Sequence, residues 1–561
     1  MKPVRAKRSS RGAKPSAARS PDRRAKPSAR GAKRPSAPAR RAKPSAAESA
    51  AVKPVRKVLV ANRGEIAIRI CRTLREMRIT SVAIYSEADQ DAAHVFAADE
   101  AYPVGPAPAA QSYLNADRIL DVARRAKADA VHPGYGFLSE SAAFAEQVLG
   151  SGLVWIGPSP GAIRTLGDKL SARALAIRAG VPVLPGTETP VRDEAELRQA
   201  VGRIGYPVAL KAAAGGGGKG MRRVNSAEEF EQALRLTQGE ARNAFGDDRI
   251  YLERWLEKPR HIEVQLLGDV HGNVIALGER DCSIQRRHQK LVEETPSPAL
   301  DDASRAVLWK LAVKIARAGG YANAGTAEFL MDQAGKFYFL EVNARLQVEH
   351  PVTEMALGVD LVREQVRLAA GERLSLTQAH VRPRGVAIEF RIYAEDPESG
   401  FLPQAGTVRR LELPQGPGVR CDVGVRAGGA VPFHYDPLIG KIIVWGETRE
   451  LALARAARAL GECALSGVPN TLPFHRWLLD HPAFRSGSYD TAFVTHEFKG
   501  VARPNSARDE EDAASLAALF AHVTSRVPRF AESAAPAGNG GGDRSRWRTA
   551  HPGLRAPLRP R

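Results

Sequence analysis

The sequence has 561 residues, 43% of them hydrophobic, and a formal net charge of +20. The length allows about three to four domains, and no apolar stretch approaches membrane-spanning length, so we predict a soluble, non-membrane protein. The four cysteines, Cys71, Cys282, Cys421 and Cys463, are widely spaced, which argues against a disulfide framework or a zinc site and favours a reducing, cytoplasmic location.

The first 55 residues are basic and repetitive. Residues 1–57 hold 19 Lys and Arg against only Asp22 and Glu48, a charge of +17, so the rest of the chain carries only about +3. The motif AKPSA recurs at residues 13–17, 25–29 and 42–46, and recurring Pro without large apolar residues excludes a core or an amphipathic helix. We predict a disordered extension; in order of preference, it is a polyanion-binding arm, an extension with no specific role, or a targeting peptide.

Ordered structure is predicted from residue 56, where the pattern is that of a parallel α/β unit. The apolar run Val58–Val60 predicts a buried strand, Asn62-Arg63-Gly64 a turn, and the next residues an amphipathic helix. A second strand, SVAIY, completes a βαβ unit. HPGYGFLSE at 132–140 and VWIGPSP at 154–160 are predicted to be loops at further strand ends.

Four consecutive glycines stand in KAAAGGGGKGM, residues 211–221. A Walker A loop would need Ser or Thr where Gly220 stands, and a dinucleotide fingerprint would need a helix where MRRV predicts a strand. The remaining possibility is a glycine-rich hairpin whose amides fold over phosphates, with Lys211 or Lys219 supplying charge. The alternative is a flexible surface loop.

The stretch FLEVNARLQVEHP, residues 339–351, alternates polar and apolar residues. On an extended chain its polar side chains leave the same face: Glu341, Asn343, Arg345, Gln347 and Glu349. Carboxylate and amide oxygens bind divalent cations and arginine binds oxyanions, so this face is a candidate functional site. The alternative is a solvent-facing strand that carries charges.

A hairpin is predicted just upstream of this face. Glu328 lies on the preceding strand, in GTAEFLM, and QAGK at residues 333–336 supplies the turn. The hairpin sets Glu328 opposite or near Glu341, two carboxylates that can share a site, as magnesium-nucleotide binding requires.

The C-terminal part has a different pattern of predicted secondary structure. From Gly385 the pattern is short strands with Gly-Pro turns, followed by helices near residues 447–464 and 470–481. Beyond about residue 500 the sequence is of low complexity and basic, which predicts a disordered tail.

Taken together, several strings make the chain resemble the biotin carboxylase family, whose fold belongs to the ATP-grasp superfamily. In chain order over about residues 56–497 they are VLVANRGEIAIRI, HPGYGFLSE, GDKLSAR, KAAAGGGGKGM, ERDCSIQRRHQKLVEE, GTAEF, EVNARLQVEHPVTE and AEDP. One departure is Ala214, where the family commonly has a further glycine; it could stiffen the hinge slightly without removing a ligand.

The resemblance implies an α/β fold of three ordered domains. These are a Rossmann-like parallel-sheet domain over residues 56–168, an ATP-grasp domain over 169–384 with a mobile lid at about 184–255, and a mainly antiparallel β domain over 385–497. The extension at 1–55 and a tail at 498–561 flank them.

The resemblance also implies roles for matching residues. ATP-binding roles fall on Lys169, Lys211, Gly217, Gly218, Glu253, Arg254, Trp255, Leu256, His261, Gln285, His288, Glu328 and Glu341. The matches to ligands of two Mg²⁺ or Mn²⁺ ions are Glu328, Glu341 and Asn343. The bicarbonate-pocket matches are Lys290, Arg345, Gln347 and Val348, while Arg391 matches the arginine that stabilises biotin's enolate and Glu349 the general base. The catalytic set is thus Lys290, Arg345, Glu349 and Arg391.

The implied reaction is ATP- and bicarbonate-dependent carboxylation of biotin through carboxyphosphate. Biotin carriers present their lysine in an Ala-Met-Lys-Met context, and the only Met-Lys pair here is Met1-Lys2. We therefore expect biotin to arrive on a separate carrier protein, with carboxyltransferase subunits also in trans. The resemblance further suggests a homodimer and, as acceptor, acetyl-CoA in fatty-acid synthesis.

Two alternatives stay open from the sequence. Another ATP-grasp ligase would keep the magnesium acids but would not need RRHQK together with RLQVEHP. A non-catalytic subunit whose basic arm binds nucleic acid would be favoured if the metal and bicarbonate positions were degraded, and they are intact.

Overall fold

The computed structural model describes residues 53–213, 220–500, 515 and 517–519. Nearly all of the predicted extension, the lid glycines Gly217 and Gly218, and most of the predicted tail lie outside the described residues. Among the described residues, no helix combines the length and apolar character needed to cross a membrane. The fold is mixed α/β, with a parallel sheet followed by antiparallel sheets, as predicted.

The N-terminal segment forms a five-stranded parallel sheet in the order β3-β2-β1-β4-β5. Its elements are β1 (Lys57–Val60), α1 (Gly64–Glu76), β2 (Thr80–Ser86), α2 (Ala93–Ala97), β3 (Glu100–Gly105), α3 (Ala116–Arg125), β4 (Ala130–His132), α4 (Ala142–Gly150), β5 (Val154–Trp155) and α5 (Pro160–Gly167). Val58, Leu59 and Val60 are all buried, because a central parallel strand is covered on both faces. The predicted βαβ unit is confirmed.

The next segment is built around a three-stranded antiparallel sheet, order β7-β6-β8. Its elements are α6 (Lys169–Arg178), α7 (Glu194–Ile204), β6 (Val208–Ala212), β7 (Met221–Val224), α8 (Ala227–Phe245) and β8 (Ile250–Arg254). Lys211 pairs with Met221 across the hairpin, so the glycine run connects two antiparallel strands as predicted. The small sheet buries its apolar side with Phe230 and Leu234 of α8.

An eight-stranded sheet, order β13-β12-β9-β10-β11-β14-β21-β19, forms the largest layer. Its first part holds β9 (Arg260–Gly268), β10 (Val274–Arg286), β11 (Gln289–Thr295), α9 (Asp302–Ala318), β12 (Asn323–Met331), β13 (Phe337–Asn343), α10 (His350–Leu357) and α11 (Leu361–Ala369). Strands β9 to β13 pair antiparallel with their neighbours, and the hairpin predicted with its turn at residues 333–336 is confirmed as β12 paired with β13.

The C-terminal segment continues the same sheet. Its elements are β14 (Val386–Tyr393), β15 (Glu395–Asp396), β16 (Leu402–Pro403), β17 (Gly406–Thr407), β18 (Arg410–Glu412), β19 (Val419–Val423), β20 (Ala430–Val431), β21 (Leu438–Gly446), α12 (Arg449–Glu462), β22 (Ala464–Ser466), α13 (Leu472–Asp480), α14 (Pro482–Ser486) and α15 (Phe493–Glu497). Strand β14 pairs with β11, so hydrogen bonds run without a break across the domain boundary predicted at residue 385. Both helices predicted near 447–464 and 470–481 are present.

One local expectation is wrong. The stretch 339–351 is not extended throughout, because β13 ends at Asn343 and a loop leads to α10. Ala344 N donates instead to the Glu140 carboxylate, at 2.9 Å. Pro351 then fits the first turn of a helix, where a missing amide hydrogen costs nothing.

Candidate active site

A cavity of about 970 Å³ lies between the parallel sheet, the small antiparallel sheet and the large sheet. The predicted site residues that line it are Lys169, Lys211, Arg254, Trp255, Leu256, His261, Gln285, His288, Lys290, Glu328, Glu341, Asn343, Arg345, Gln347, Val348 and Arg391. Glu253 and Glu349 lie directly behind this lining, each bonded to lining residues. Its size suits a nucleotide with a second, smaller substrate.

Two carboxylates face each other across the β12–β13 hairpin, as predicted. Glu328 pairs in register with Glu341. Glu328 is buried and accepts hydrogen bonds from Asn343 Nδ2 at 2.8 Å and Gln347 Nε2 at 3.1 Å. Burial opposes its charge, but Lys290 and His261 outweigh burial and hold the pKa of Glu328 well below its usual range. It is therefore ionised near neutral pH.

Lys290 is the central cation of the site. Its Nζ donates to Glu263 at 2.5 Å, to Glu349 at 2.6 Å and to Glu328 at 3.0 Å. The turn between β10 and β11 aims it inward, since Arg287 and His288 both take positive φ, as a tight hairpin turn requires. The Lys290 ammonium thus contacts both Glu328, a predicted metal ligand, and Glu349, the predicted base.

Glu349, the predicted base, is fully buried between two cations. Opposite Lys290, Arg391 Nη2 donates to Glu349 Oε2 at 2.9 Å and contacts Glu293 Oε1 at 2.5 Å. Burial disfavours the carboxylate, but Lys290, Arg391 and Arg280 outweigh it and depress the pKa of Glu349 strongly. Glu349 is therefore ionised near neutral pH.

Arg345 lies in the loop after β13 and is held by a residue from the N-terminal segment. Its Nε donates to Glu140 Oε2 at 2.9 Å, Nη1 to Gln347 Oε1 at 2.9 Å and Nη2 to Asn343 Oδ1 at 3.0 Å. These bonds fix a guanidinium at the cavity wall, where it can bind an oxyanion.

The two predicted phosphate lysines are paired with carboxylates. Lys169 contacts Glu341 at 2.9 Å, and Lys211 donates to Glu253 at 2.5 Å. Arg173 holds the same Glu253 at 3.0 Å. Glu253 therefore supports Lys211 from behind the cavity lining, whereas its neighbours Arg254, Trp255 and Leu256 line the cavity itself.

The predicted metal ligands fit a hard divalent cation. Glu328 and Glu341 offer carboxylate oxygens from adjacent strands, and Asn343 offers an amide oxygen two residues after Glu341 on β13. Oxygen ligands of this kind are those that Mg²⁺ prefers. Lysines balance the charges of both carboxylates, since Lys290 pairs with Glu328 and Lys169 with Glu341.

Sequence reasoning gave no role to several residues that hold the site. These are Glu65, Tyr135, Glu140, Arg173, Glu263, Arg280, Glu293 and Lys441. Six of the eight stood inside the recognised strings, so the signal was present without a contact to explain it: Glu65, Tyr135, Glu140, Arg173, Arg280 and Glu293. Glu263 and Lys441 stood in no recognised string.

Three family models match the chain in order. They are described as "Biotin carboxylase, N-terminal domain" over residues 54–163, "Carbamoyl-phosphate synthase L chain, ATP binding domain" over 168–377 and "Biotin carboxylase C-terminal domain" over 389–496. Together they span the described part of the chain except for short connecting stretches and its ends.

Curated relatives and solved structures agree with these models. A protein named biotin carboxylase from Nostoc sp. is 52% identical over 438 residues, covering 78% of this chain and 98% of the relative. The propionyl-CoA carboxylase alpha chain of Ruegeria pomeroyi is 48% identical, covering 80% of this chain and 69% of that protein. A crystal structure of the Campylobacter jejuni biotin carboxylase–β,γ-ATP complex has a TM-score of 0.77 and 44% identity, covering 79% of this chain and 99% of that one.

A second structure matches with a TM-score of 0.76 and 47% identity, covering 79% of this chain and 97% of that chain. It is the biotin carboxylase domain dimer of the Hydrogenobacter thermophilus 2-oxoglutarate carboxylase, in complex with MgADP, ADP and bicarbonate.

Proposed function

Since this chain belongs to the biotin carboxylase family of ATP-dependent ligases, we propose that it carboxylates biotin on a separate carrier protein, the first half-reaction of an acyl-CoA carboxylase. The observation that carries the proposal is Glu349, a buried carboxylate held between Lys290 at 2.6 Å and Arg391 at 2.9 Å. The proposed base would thus contact both the lysine that binds bicarbonate and the arginine that binds biotin.

The first chemical step uses bicarbonate and ATP. Glu349 takes the proton of bicarbonate, whose oxygen then attacks the γ-phosphorus of ATP and expels ADP to give carboxyphosphate. Lys290 and Arg345 hold the bicarbonate oxygens, and Lys169 and Lys211 neutralise the phosphates. A divalent ion held by Glu328, Glu341 and Asn343 would supply further charge neutralisation of the phosphates.

The second step transfers the carboxyl group. Carboxyphosphate breaks down to CO₂ and phosphate, and this phosphate takes the proton from the ureido nitrogen of biotin. Arg391 holds the negative charge on the ureido oxygen while the nitrogen attacks CO₂. The surrounding protein walls limit competing hydrolysis of carboxyphosphate by water.

The finer assignments are also proposals. We propose Mg²⁺ or Mn²⁺ as the metal, a homodimer as the working form, acetyl-CoA as the final acceptor in fatty-acid synthesis, and the cytoplasm as its location. Relatives that are matched over 98% of their own length are named simply biotin carboxylase, which supports the proposed half-reaction. Others serve propionyl-CoA or pyruvate carboxylases by name, so the acceptor needs its own test. The polyanion-binding arm stays a prediction from charge alone.

The test is phosphate release from MgATP and bicarbonate, with and without free biotin, by the wild type and Glu349→Gln. We expect biotin- and bicarbonate-dependent turnover that falls by about 100-fold or more in the variant, as removal of a positioned base costs. Turnover without biotin dependence, or with another acceptor, would assign the chain to a different ligase reaction.

The acceptor is tested with labelled bicarbonate and reconstituted carboxyltransferases. The proposal expects label to accumulate in malonyl-CoA when an acetyl-CoA-specific carrier and transferase pair is supplied. Label found only with a propionyl-CoA or pyruvate system would replace the acetyl-CoA assignment and leave the biotin carboxylase activity intact.

A further inference from the structure

Lys441 on β21 is a lysine whose side chain is completely buried. Its Nζ donates to the carbonyl oxygen of Val348 at 2.7 Å and contacts Glu65 Oε1 at 3.1 Å. Tyr135 OH donates to the same Glu65 oxygen. A buried ammonium is costly unless it is well paired, so its presence here needs a reason.

The reason lies in what the Val348 carbonyl belongs to. That carbonyl is part of the peptide unit that joins Val348 to Glu349, the proposed base. Because β13 ends at Asn343, no strand among the described residues pairs with this part of the loop. Two further anchors lie on its N-terminal side, at Ala344, which donates to Glu140, and at Gln347, whose carbonyl accepts from His350 Nδ1 at 2.7 Å.

The charge of Lys441 is secured by a row of acids on neighbouring strands and on α1. Lys441 pairs in register with Asp422 on one side and with Arg391 on the other, and Glu389 precedes Arg391 by two residues on β14. Burial opposes the charge, but Glu65, Glu389 and Asp422 outweigh it and raise the pKa of Lys441. The donor to Val348 is therefore an ammonium, and charged donors make the stronger hydrogen bonds.

We propose that Lys441, with Glu65 as its counter-ion, is a positioning residue that fixes the Val348–Glu349 peptide so that the base meets bicarbonate. The inference rests on the proposed function, in which Glu349 is the base. Tyr135 donates to Glu65 and lines the cavity, so it connects the Lys441–Glu65 pair to the cavity wall.

The decisive variant is the double substitution Lys441→Met with Glu65→Gln, which removes both charges and leaves shapes nearly unchanged. Replacing both partners of a buried pair by neutral groups is often tolerated, whereas removing one leaves a buried charge unpaired. We expect the double variant to retain the wild-type Tm within a few degrees, while Lys441→Met alone lowers it. Lys310→Met, at an exposed lysine on α9, is the matched control and changes neither Tm nor turnover.

Activity separates positioning from folding. In the double variant we expect kcat for biotin-dependent phosphate release to fall about 100-fold, the loss typical of a misplaced catalytic group. The Kd for MgADP, measured by calorimetry, should change by less than about threefold, because the nucleotide contacts lie elsewhere in the cavity.

Three results would overturn the inference. They are a double variant that keeps kcat within about threefold of wild type, a double variant in which MgADP affinity falls in parallel with kcat, and a double variant that does not fold, which would make the pair structural. Failure of the proposed function is distinguishable, because the wild type itself would then lack biotin- and bicarbonate-dependent turnover.

Discussion

Glu349 combines a strongly depressed pKa with a proposed role that requires it to accept a proton. The two cations that contribute most to this depression, Lys290 and Arg391, are also those proposed to bind bicarbonate and biotin. When a substrate anion takes over a contact with Lys290, the carboxylate loses part of its stabilisation and becomes more basic. Substrate binding would thus raise the pKa of Glu349 toward the range of a useful base. Before the substrate binds, the ion pairs keep Glu349 ionised.

At the scale of single residues, Glu140→Gln tests how Arg345, the arginine proposed to bind bicarbonate, is held. Glu140 binds both Arg345 Nε and Ala344 N at 2.9 Å, and an amide cannot replace the charged contact to the guanidinium. We expect KM for bicarbonate to rise about tenfold with the Kd for MgADP unchanged, since charge-assisted hydrogen bonds are worth roughly 1.5–3 kcal/mol.

Glu140→Asp is the control for this prediction. It keeps the charge one methylene further away and should recover part of the loss. An equal weakening of bicarbonate and MgADP binding in Glu140→Gln would instead indicate a general disturbance of the loop that follows β13.

At the scale of elements, the β12–β13 hairpin shows why part of the site could be predicted. A turn at QAGK sets the register in which Phe329 pairs with Phe339, and a one-residue register shift next to Glu328 then brings it opposite Glu341. The loop after Asn343 could not be predicted in the same way. Its path depends on Glu140, about 200 residues upstream, and on Lys441, about 90 residues downstream, and local sequence pattern carries no information on such contacts.

The same hairpin predicts how nucleotide binding depends on metal. ATP or ADP phosphates in the cavity would approach the carboxylates of Glu328 and Glu341, and a divalent ion held by these carboxylates would reduce the remaining repulsion. We expect chelation of Mg²⁺ to weaken ADP binding about tenfold or more with little change in Tm, because Lys169, His261 and Lys290 already balance these acids.

Calorimetric titration of ADP with Mg²⁺ or EDTA measures the effect, and Glu341→Gln serves as comparison. In that variant the difference between ADP and MgADP should shrink. An ADP affinity that is independent of Mg²⁺ in the wild type would contradict the assignment of these carboxylates as metal ligands.

At the scale of the whole molecule, buried neutral histidines link stability to pH. Burial lowers the pKa of His94, in the N-terminal segment, and of His475, in the C-terminal segment, each to about 4. The unfolded chain binds protons at these histidines below about pH 6.5, whereas the folded chain does not. Unfolding is therefore favoured as pH falls from about 6.5 to about 4.

We expect each of these two histidines to lower the free energy of unfolding by about 2 kcal/mol between pH 7 and pH 5. Denaturant titrations at both pH values measure it. In His94→Asn the drop in unfolding free energy between pH 7 and pH 5 should be smaller than in the wild type by the contribution of one histidine. His380→Asn, at an exposed histidine, should keep the wild-type pH dependence. An identical pH response in His94→Asn and wild type would contradict the prediction.

The unbroken pairing of β11 with β14 has a consequence for any attempt to recombine this chain with a relative. The connection near residue 385 looks like a natural crossover point, yet a junction there would join two halves of one sheet, with Glu293 placed opposite Glu389 across the seam. A chimera would have to match hydrogen-bond register and buried charge at the same time. Residues 385–446 thus supply strands to the same sheet as β11 and are not an interchangeable module. They must be exchanged together with β11 or not at all.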